Sequence, residues 1–148
     1  MTRCLLLIAL AGAARAEQPR NGLIAYADRE AGDASPMTSG VEIYTVRPDG
    51  TQRKRLTDSM GGNFLPAWSP DGKRIAFMST RTGVPEIWIM DADGTGQRQI
   101  TLGGGTFLPA WSPDGRQIAC TSHGQIWLID ADGGSPRQLT SEGRNHVP

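Results

Sequence analysis

The 148-residue sequence holds only two cysteines and two histidines. Two cysteines cannot build a disulfide scaffold, and two histidines are too few to ring a channel with metal ligands. No apolar run approaches the roughly 20 residues a bilayer-spanning helix needs. Fifteen Lys and Arg balance fifteen Asp and Glu, so the basic face that a nucleic-acid partner requires is missing. There is no G-x-S-x-G nucleophile elbow, no P-loop and no G-x-G-x-x-G. Gly103-Gly104-Gly105 lacks the strand-to-helix context of a phosphate cradle. Helix signals are also scarce. Nineteen Gly and ten Pro fall largely in turn dipeptides between short apolar runs, which reads as a mostly β chain.

What is present begins with a leader. Arg3 supplies a positive start, Cys4 to Ala11 an apolar run, and Ala14-Arg15-Ala16 an A-x-A pattern. This predicts a secretory signal peptide over residues 1–16, cleaved after Ala16, and a periplasmic or secreted mature chain. Cleavage removes Arg3 and Arg15 but no acid, leaving a small negative excess. Cys120 is then the remaining cysteine and is expected to be a small buried hydrophobe.

The dominant feature is repetition. FLPAWSPDGKRIAF, residues 64–77, returns as FLPAWSPDGRQIAC at 107–120. Four landmarks recur three times: Ile24-Ala25, Ile75-Ala76 and Ile118-Ala119; Tyr44, Trp88 and Trp127; Asp49-Gly50, Asp93-Gly94 and Asp132-Gly133; and Leu56-Thr57, Ile100-Thr101 and Leu139-Thr140. The aromatic-to-Asp spacing is five residues in every copy and the Gly-to-Thr spacing seven. The Ile-to-aromatic spacing runs 20, 13 and 9. Fixed spacings are what tight hairpins need; the variable one marks a free loop, where function usually sits.

Each repeat (22–57, 64–101 and 107–140) divides into four short strands, A to D. In the second, these are 64–68, 73–79, 86–90 and 97–101. Strands B and C are nearly continuous apolar runs, as expected of a sheet covered on both faces. Four strands per repeat at a period near 40 predicts all-β propeller blades. Ser-Pro-Asp-Gly at 69–72 and 112–115 reads as a type I turn between A and B; Arg-Pro-Asp-Gly and the two Asp-Ala-Asp-Gly phrases serve between C and D.

WSPDGKRIAF followed by EIWIMDADGTGQRQIT resembles the TolB-type propeller repeat. The resemblance covers residues 22–148, and copies two and three match it nearly throughout. It implies a six-bladed propeller architecture and a periplasmic, non-catalytic protein-interaction or ligand-binding role in the cell envelope. The α/β domain that precedes the propeller in TolB has no counterpart in this sequence. Similar repeats in prolyl-oligopeptidase-type serine peptidases and oligogalacturonate lyases imply the alternative, the propeller portion of an enzyme.

Residues 17–148 are thus expected to form about three antiparallel blades, the first without its inner strand A, and residues 143–148 match the start of a next repeat. Two outcomes are expected for such a half-propeller: part of a longer protein, or a homodimer that completes a six-bladed ring from two sets of three blades.

The candidate binding residues lie in the variable connections: Asp28, Arg29, Glu30 and Asp33 of the polar loop 28–40, with Arg81 and His123 from the neighbouring repeats. The partner expected is an envelope protein or a small ligand; no cofactor, catalytic residue or membrane span is assigned. Asp91, Asp93, Asp130 and Asp132 begin like a calcium loop, but the twelfth position falls on Leu102 and Ser141 in place of Glu. Hairpin turns favour Asp and Gly without any metal. Trp68, Trp88, Trp111 and Trp127 recur at repeat positions and are expected between blades.

Overall fold

The computed structural model describes residues 21–30 and 39–141. The expected signal peptide, Asp33 and the tail 143–148 lie outside the described residues. Three antiparallel sheets follow one another along the chain. Blade 1 consists of β1 (Ile24–Arg29), β2 (Val41–Val46) and β3 (Lys54–Arg55). Blade 2 has β4 (Asn63–Trp68), β5 (Arg74–Ser79), β6 (Glu86–Asp91) and β7 (Arg98–Gln99). Blade 3 has β8 (Thr106–Trp111), β9 (Gln117–Ser122), β10 (Gln125–Asp130) and β11 (Arg137–Gln138). Sequence-adjacent strands pair in each sheet, so each blade is a meander and the sheets stay open. The positions at which blade 1 would carry a strand equivalent to β4, about residues 12–17, lie outside the described residues.

The repeated turn phrases behave as their chemistry dictates. Gly72 N donates to Ser69 O at 2.9 Å, and Ser69 Oγ donates to Asp71 Oδ1 at 2.6 Å. Asp71 Oδ1 also accepts Lys73 N at 3.1 Å. Ser112, Asp114 and Arg116 reproduce the pattern in blade 3. These bonds to the ionised carboxylate hold Asp71 and Asp114 below the usual aspartate pKa, the serine hydroxyl contributing most.

Two details depart from regular strands. Strand D is expected over five residues of repeat two, but the β6–β7 ladder spans only Trp88↔Gln99 and Ile89↔Arg98. Ile100 N still donates to Ile87 O at 2.9 Å. The return bond comes from a side chain, because Ile87 N donates to Thr101 Oγ1 at 2.8 Å. A hydroxyl replaces a main-chain carbonyl, which explains the invariant Thr after the apolar residue. Strand A, in turn, is bulged: its register shifts between Phe64 and Ala67, and again between Phe107 and Ala110. Leu65 and Leu108 sit there at φ of 53° and 55°. Each such non-glycine residue costs about 1–3 kcal/mol, and its recurrence makes the bulge part of the repeat.

The core lies between blades. Alternate side chains of a strand point to opposite faces. Ile75, Phe77 and Met90 of blade 2, with Trp68 and Trp88, pack against Ile43, Leu56, Ala25 and Ala27 of blade 1. On its other face Ala76, Met78, Ile87, Ile89 and Ile100 pack against Ile118, Cys120, Ile129, Trp111 and Trp127 of blade 3. The tryptophans therefore occupy the seams, and Trp111 Nε1 crosses one to donate to Ala67 O at 3.0 Å. Burial pushes the Cys120 thiol up to about 11, so at neutral pH it is an unreactive thiol.

Candidate binding face

An A-B-C-D meander sends its connections alternately to the two ends of the sheet. The A–B and C–D hairpins share a turn face; the B–C and D–A connections share a loop face. The candidate residues belong to the loop face or just below it.

A carboxylate or amide marks the loop-face start of every strand C. Thr57 Oγ1 donates to Glu42, Thr101 Oγ1 to Glu86, and Thr140 Oγ1 to Gln125 Oε1. The same hydroxyls accept the main-chain N–H of Ile43, Ile87 and Ile126. Glu42 and Glu86 are buried, and their remaining oxygen valences are filled locally. Glu42 accepts Asn63 Nδ2 at 2.7 Å, Ser59 N at 3.1 Å and the Arg55 guanidinium at 3.1 Å. Glu86 accepts Gly104 N at 2.7 Å. Each latch ties a strand to the D–A connection that follows it. Glu42, Glu86 and Gln125 are not among the residues anticipated above. Their signal was the constant spacing of fifteen residues to the Thr of the same repeat.

The anticipated binding residues fall into three separate groups. In blade 1, Asp28 lies 3.5 Å from the Arg53 guanidinium, and Glu30 lies 3.5 Å from that of Arg55. Arg55 also reaches Glu42 and Asp58. Glu30, Ser39, Gly40, Glu42, Arg55, Ser59 and Met60 line a depression of about 280 Å³. Arg29 is half-buried at the end of β1. Arg81 turns away from the loop mouth and runs down the seam between blades 1 and 2. Its guanidinium lies 4.4 Å from the Trp88 ring centroid. It donates to Ser79 Oγ, Gln97 Oε1 and Asn63 Oδ1 at 3.0, 2.8 and 2.9 Å. Burial holds its pKa below the usual arginine value. His123 is exposed in the two-residue turn between β9 and β10, with Nδ1 3.0 Å from Ser122 Oγ. Among the described residues no hydrogen bond or ion pair joins His123 to Arg81 or to the blade 1 group.

The aspartates of the Asp-Ala-Asp-Gly turns are spent on structure. Asp93 Oδ1 accepts Thr95 N and Oγ1, which lowers its pKa. Asp130 accepts Gln117 Nε2, and Asp132 pairs with Arg74 and Arg98. Gly96 closes over Asp91. Among the described residues no three His, Cys, Asp or Glu converge on a metal-sized site.

What most sets the loop face apart is apolar. Met60 is 99% exposed and Leu102 90%, both on D–A connections; Val84, on a B–C connection, and Phe107, near the start of β8, are exposed as well. The turn face carries charged and hydrogen-bonded groups instead.

A family model for the TolB beta propeller domain matches residues 31–148. The chain belongs to the TolB β-propeller domain family. A TolB homolog of Chlorobium luteolum is 50% identical over 56 residues, 38% of this chain and 13% of that protein. Dipeptidyl-peptidase 5 of Porphyromonas gingivalis is 52% identical over 42 residues, 28% of this chain and 6% of that protein. Among solved structures, TolB from Acinetobacter baumannii superposes with a TM-score of 0.67 at 28% identity, covering 81% of this chain and 31% of that one. The chain thus spans well under half the length of each of these relatives.

Proposed function

We propose that this TolB-type propeller segment is a periplasmic protein-binding module that works through its loop face and performs no chemistry of its own. The observation that carries this reading is the exposure of Met60 and Leu102 on that face. Both sit in connections whose backbone is pinned by the buried Glu42 and Glu86 latches. Because the backbone of these connections is already held, docking need not order the connections themselves, only the side chains they carry. The charged depression that Met60 helps to line, with Glu30 and Arg55 in its wall, supplies polar registration for an apolar contact. His123 and Arg29 extend the same face across blades. Arg81 acts from within, as a strut.

The test is site-specific photo-crosslinking in the envelope of the source cell. A crosslinking residue at position 60 or 102 should trap one discrete protein band, whereas one at Asp71 or Asp114 on the turn face should not. Equal trapping from both faces overturns the assignment of the loop face. Export is tested separately, by N-terminal sequencing of the protein from a periplasmic fraction, which should begin at Glu17.

The match to dipeptidyl-peptidase 5 favours one second reading, a propeller that gates a serine peptidase. In that reading the chain again contributes no nucleophile. A G-x-S-x-G domain encoded in the same reading frame would replace the first reading by this one.

A further inference from the structure

The turn face departs from its repeat at one place, the seam between blades 2 and 3. In blades 1 and 2 the turn aspartate is held by its own hairpin. Asp49 Oδ1 accepts the N–H and the hydroxyl of Thr51, and Asp93 Oδ1 accepts those of Thr95. Blade 3 has Gly134 at that position, which brings no hydroxyl. The Asp132 side chain is 94% exposed, and its Oδ1 stands between two guanidiniums, 3.6 Å from Arg74 Nη1 and 3.8 Å from Arg98 Nη2. Both separations exceed a hydrogen bond, and exposed pairs of this kind contribute little.

The two guanidiniums are set in place without the Asp132 carboxylate. Arg74 Nη2 donates to Gly115 O at 3.1 Å, and its guanidinium lies 4.9 Å from the Trp111 ring centroid. Arg98 donates from Nη2 to Ala131 O at 2.7 Å and from Nη1 to Asp132 O at 3.0 Å. Beside them opens a depression of about 420 Å³, whose charged lining is Arg74, Arg116, Asp130 and Asp132. The Arg116 side chain is exposed and makes no hydrogen bond or ion pair among the described residues. Asp130 keeps one oxygen on Gln117 Nε2 at 3.0 Å.

The same positions at the blade 1–blade 2 seam are Leu23 for Arg74, Lys54 for Arg98 and Lys73 for Arg116. The strand D cation is architectural, since Lys54 Nζ donates to Asp93 O at 2.9 Å much as Arg98 does to Asp132 O. The second guanidinium is not. Leu23 leaves its seam with no counterpart of Arg74, and Thr95 keeps Asp93 on its own turn. A paired guanidinium fork facing a loosely held carboxylate thus belongs to the blade 2–blade 3 seam and not to the repeat.

The geometry points to an oxyanion site in this depression, with a phosphomonoester as its ligand. Asp132 Oδ1 marks where an anionic oxygen sits between Arg74 and Arg98, on a side chain exposed enough to swing out. A free carboxylate offers no more than the tethered Asp132 and does not displace it. A phosphomonoester does, because it carries about −1.5 to −2 charge at pH 7 and three strong acceptor oxygens. Arginine forks match such oxygens two at a time. With Asp132 out, three guanidiniums face one carboxylate, Asp130, and the positive excess equals the charge of the dianion. The depression exceeds a phosphate in size and falls in the range of small-molecule sites, which leaves room for the alcohol that the phosphate esterifies. A soluble phosphate ester and a phosphomonoester lipid headgroup share this chemistry. The site lies on the turn face and stands apart from the loop-face reading.

Isothermal titration calorimetry of the purified chain with glycerol 3-phosphate tests the soluble source, at about 0.15 M salt to screen diffuse surface attraction. Cosedimentation with phosphatidylcholine vesicles that contain phosphatidic acid tests the lipid source. Binding in either arm is the expected result. Arg116→Gln should weaken it roughly tenfold, and its side chain has no partner whose loss would unsettle the fold. Asp132→Asn removes the competing carboxylate and should tighten binding by about threefold or more. Lys73→Gln takes the same charge from the corresponding turn one blade earlier and should leave the affinity unchanged. Three results overturn the proposal. The first is no binding in either arm at about 10 mM ester, where a millimolar site is nearly saturated. The second is an affinity that Asp132→Asn leaves unchanged or lowers. The third is an equal loss from Lys73→Gln and Arg116→Gln.

Discussion

Blade 2 and blade 3 share fourteen-residue stretches that are nearly identical, yet the same positions live in different surroundings. In blade 2 both faces of the sheet are covered, and Phe77, Ile87 and Met90 are fully buried. In blade 3 the face toward blade 2 is closed over Ile118 and Cys120, whereas Ala119, Ile126 and Leu128 stay half-open and Leu139 is exposed. The sequence of a repeat therefore does not set the burial of its residues; the neighbour does. This is the one-dimensional logic of stacked repeats, in which stability is a sum of repeat and seam contributions.

The sharpest way to break the comparison is to truncate the same side chain in both blades. Ile87→Ala removes a fully buried side chain from a closed seam and should cost about 2–5 kcal/mol in urea unfolding. Ile126→Ala, at the equivalent place on the open face, should cost less than half as much, because the site is already wet and leaves no sealed cavity. Equal losses would mean that the outer face of blade 3 is as well covered as the inner one.

The next effect concerns the latches. Thr101→Val keeps the shape of the side chain but strips the acceptor from Ile87 N and the donor from the buried Glu86. Leaving such groups unpaired costs about 1–3 kcal/mol each. Thr140→Val acts on Ile126 N and on Gln125, a neutral amide that is only half-buried, so its cost should fall at or below the bottom of that range. Chemical denaturation of the two variants checks the order. A larger loss from Thr140→Val would show that charge and burial at strand C do not govern the latch.

Much of this architecture was legible in the residues. The turn phrases named their own hairpins, because Ser-Pro-Asp-Gly encodes a local hydrogen-bond pattern that needs no tertiary help. Strands B and C declared themselves by apolar runs of β-branched and aromatic residues. Strand D was legible in place but not in length, since Thr101 finishes its pairing with a hydroxyl, and no propensity reports that substitution of a side chain for backbone. The candidate face was less legible. Arg81 looks like a loop residue, but its long aliphatic stem reaches back over Trp88 into the seam, and loop membership says nothing of where a side chain turns. Glu42 and Glu86 look like surface acids on a strand. Only the Thr fifteen residues on, together with the D–A backbone N–H groups that fold back onto them, allows the carboxylates to be buried.

The smallest effect belongs to the turn face, where the blades should not differ. Asp71 and Asp93 in blade 2 and Asp114 in blade 3 are held below the ordinary aspartate value of 3.8 by hydrogen bonds from Ser or Thr hydroxyls and main-chain N–H groups. A depressed folded-state pKa means that the unfolded chain binds the proton more readily. The stabilisation from these turns is therefore complete above the ordinary value and is lost as pH falls through the lower folded value. Thermal midpoints measured from pH 6 down to pH 2 should stay flat to about pH 4 and then decline, given ordinary aspartate titration. Asp71→Asn and Asp114→Asn should each remove a similar small part of that decline, since the same hydroxyl and N–H donors surround both carboxylates. If only the blade 2 substitution flattens the acid limb, the turns respond to seam burial as the core does. Equal flattening keeps the hairpins as local units, insensitive to what lies on either side of the sheet.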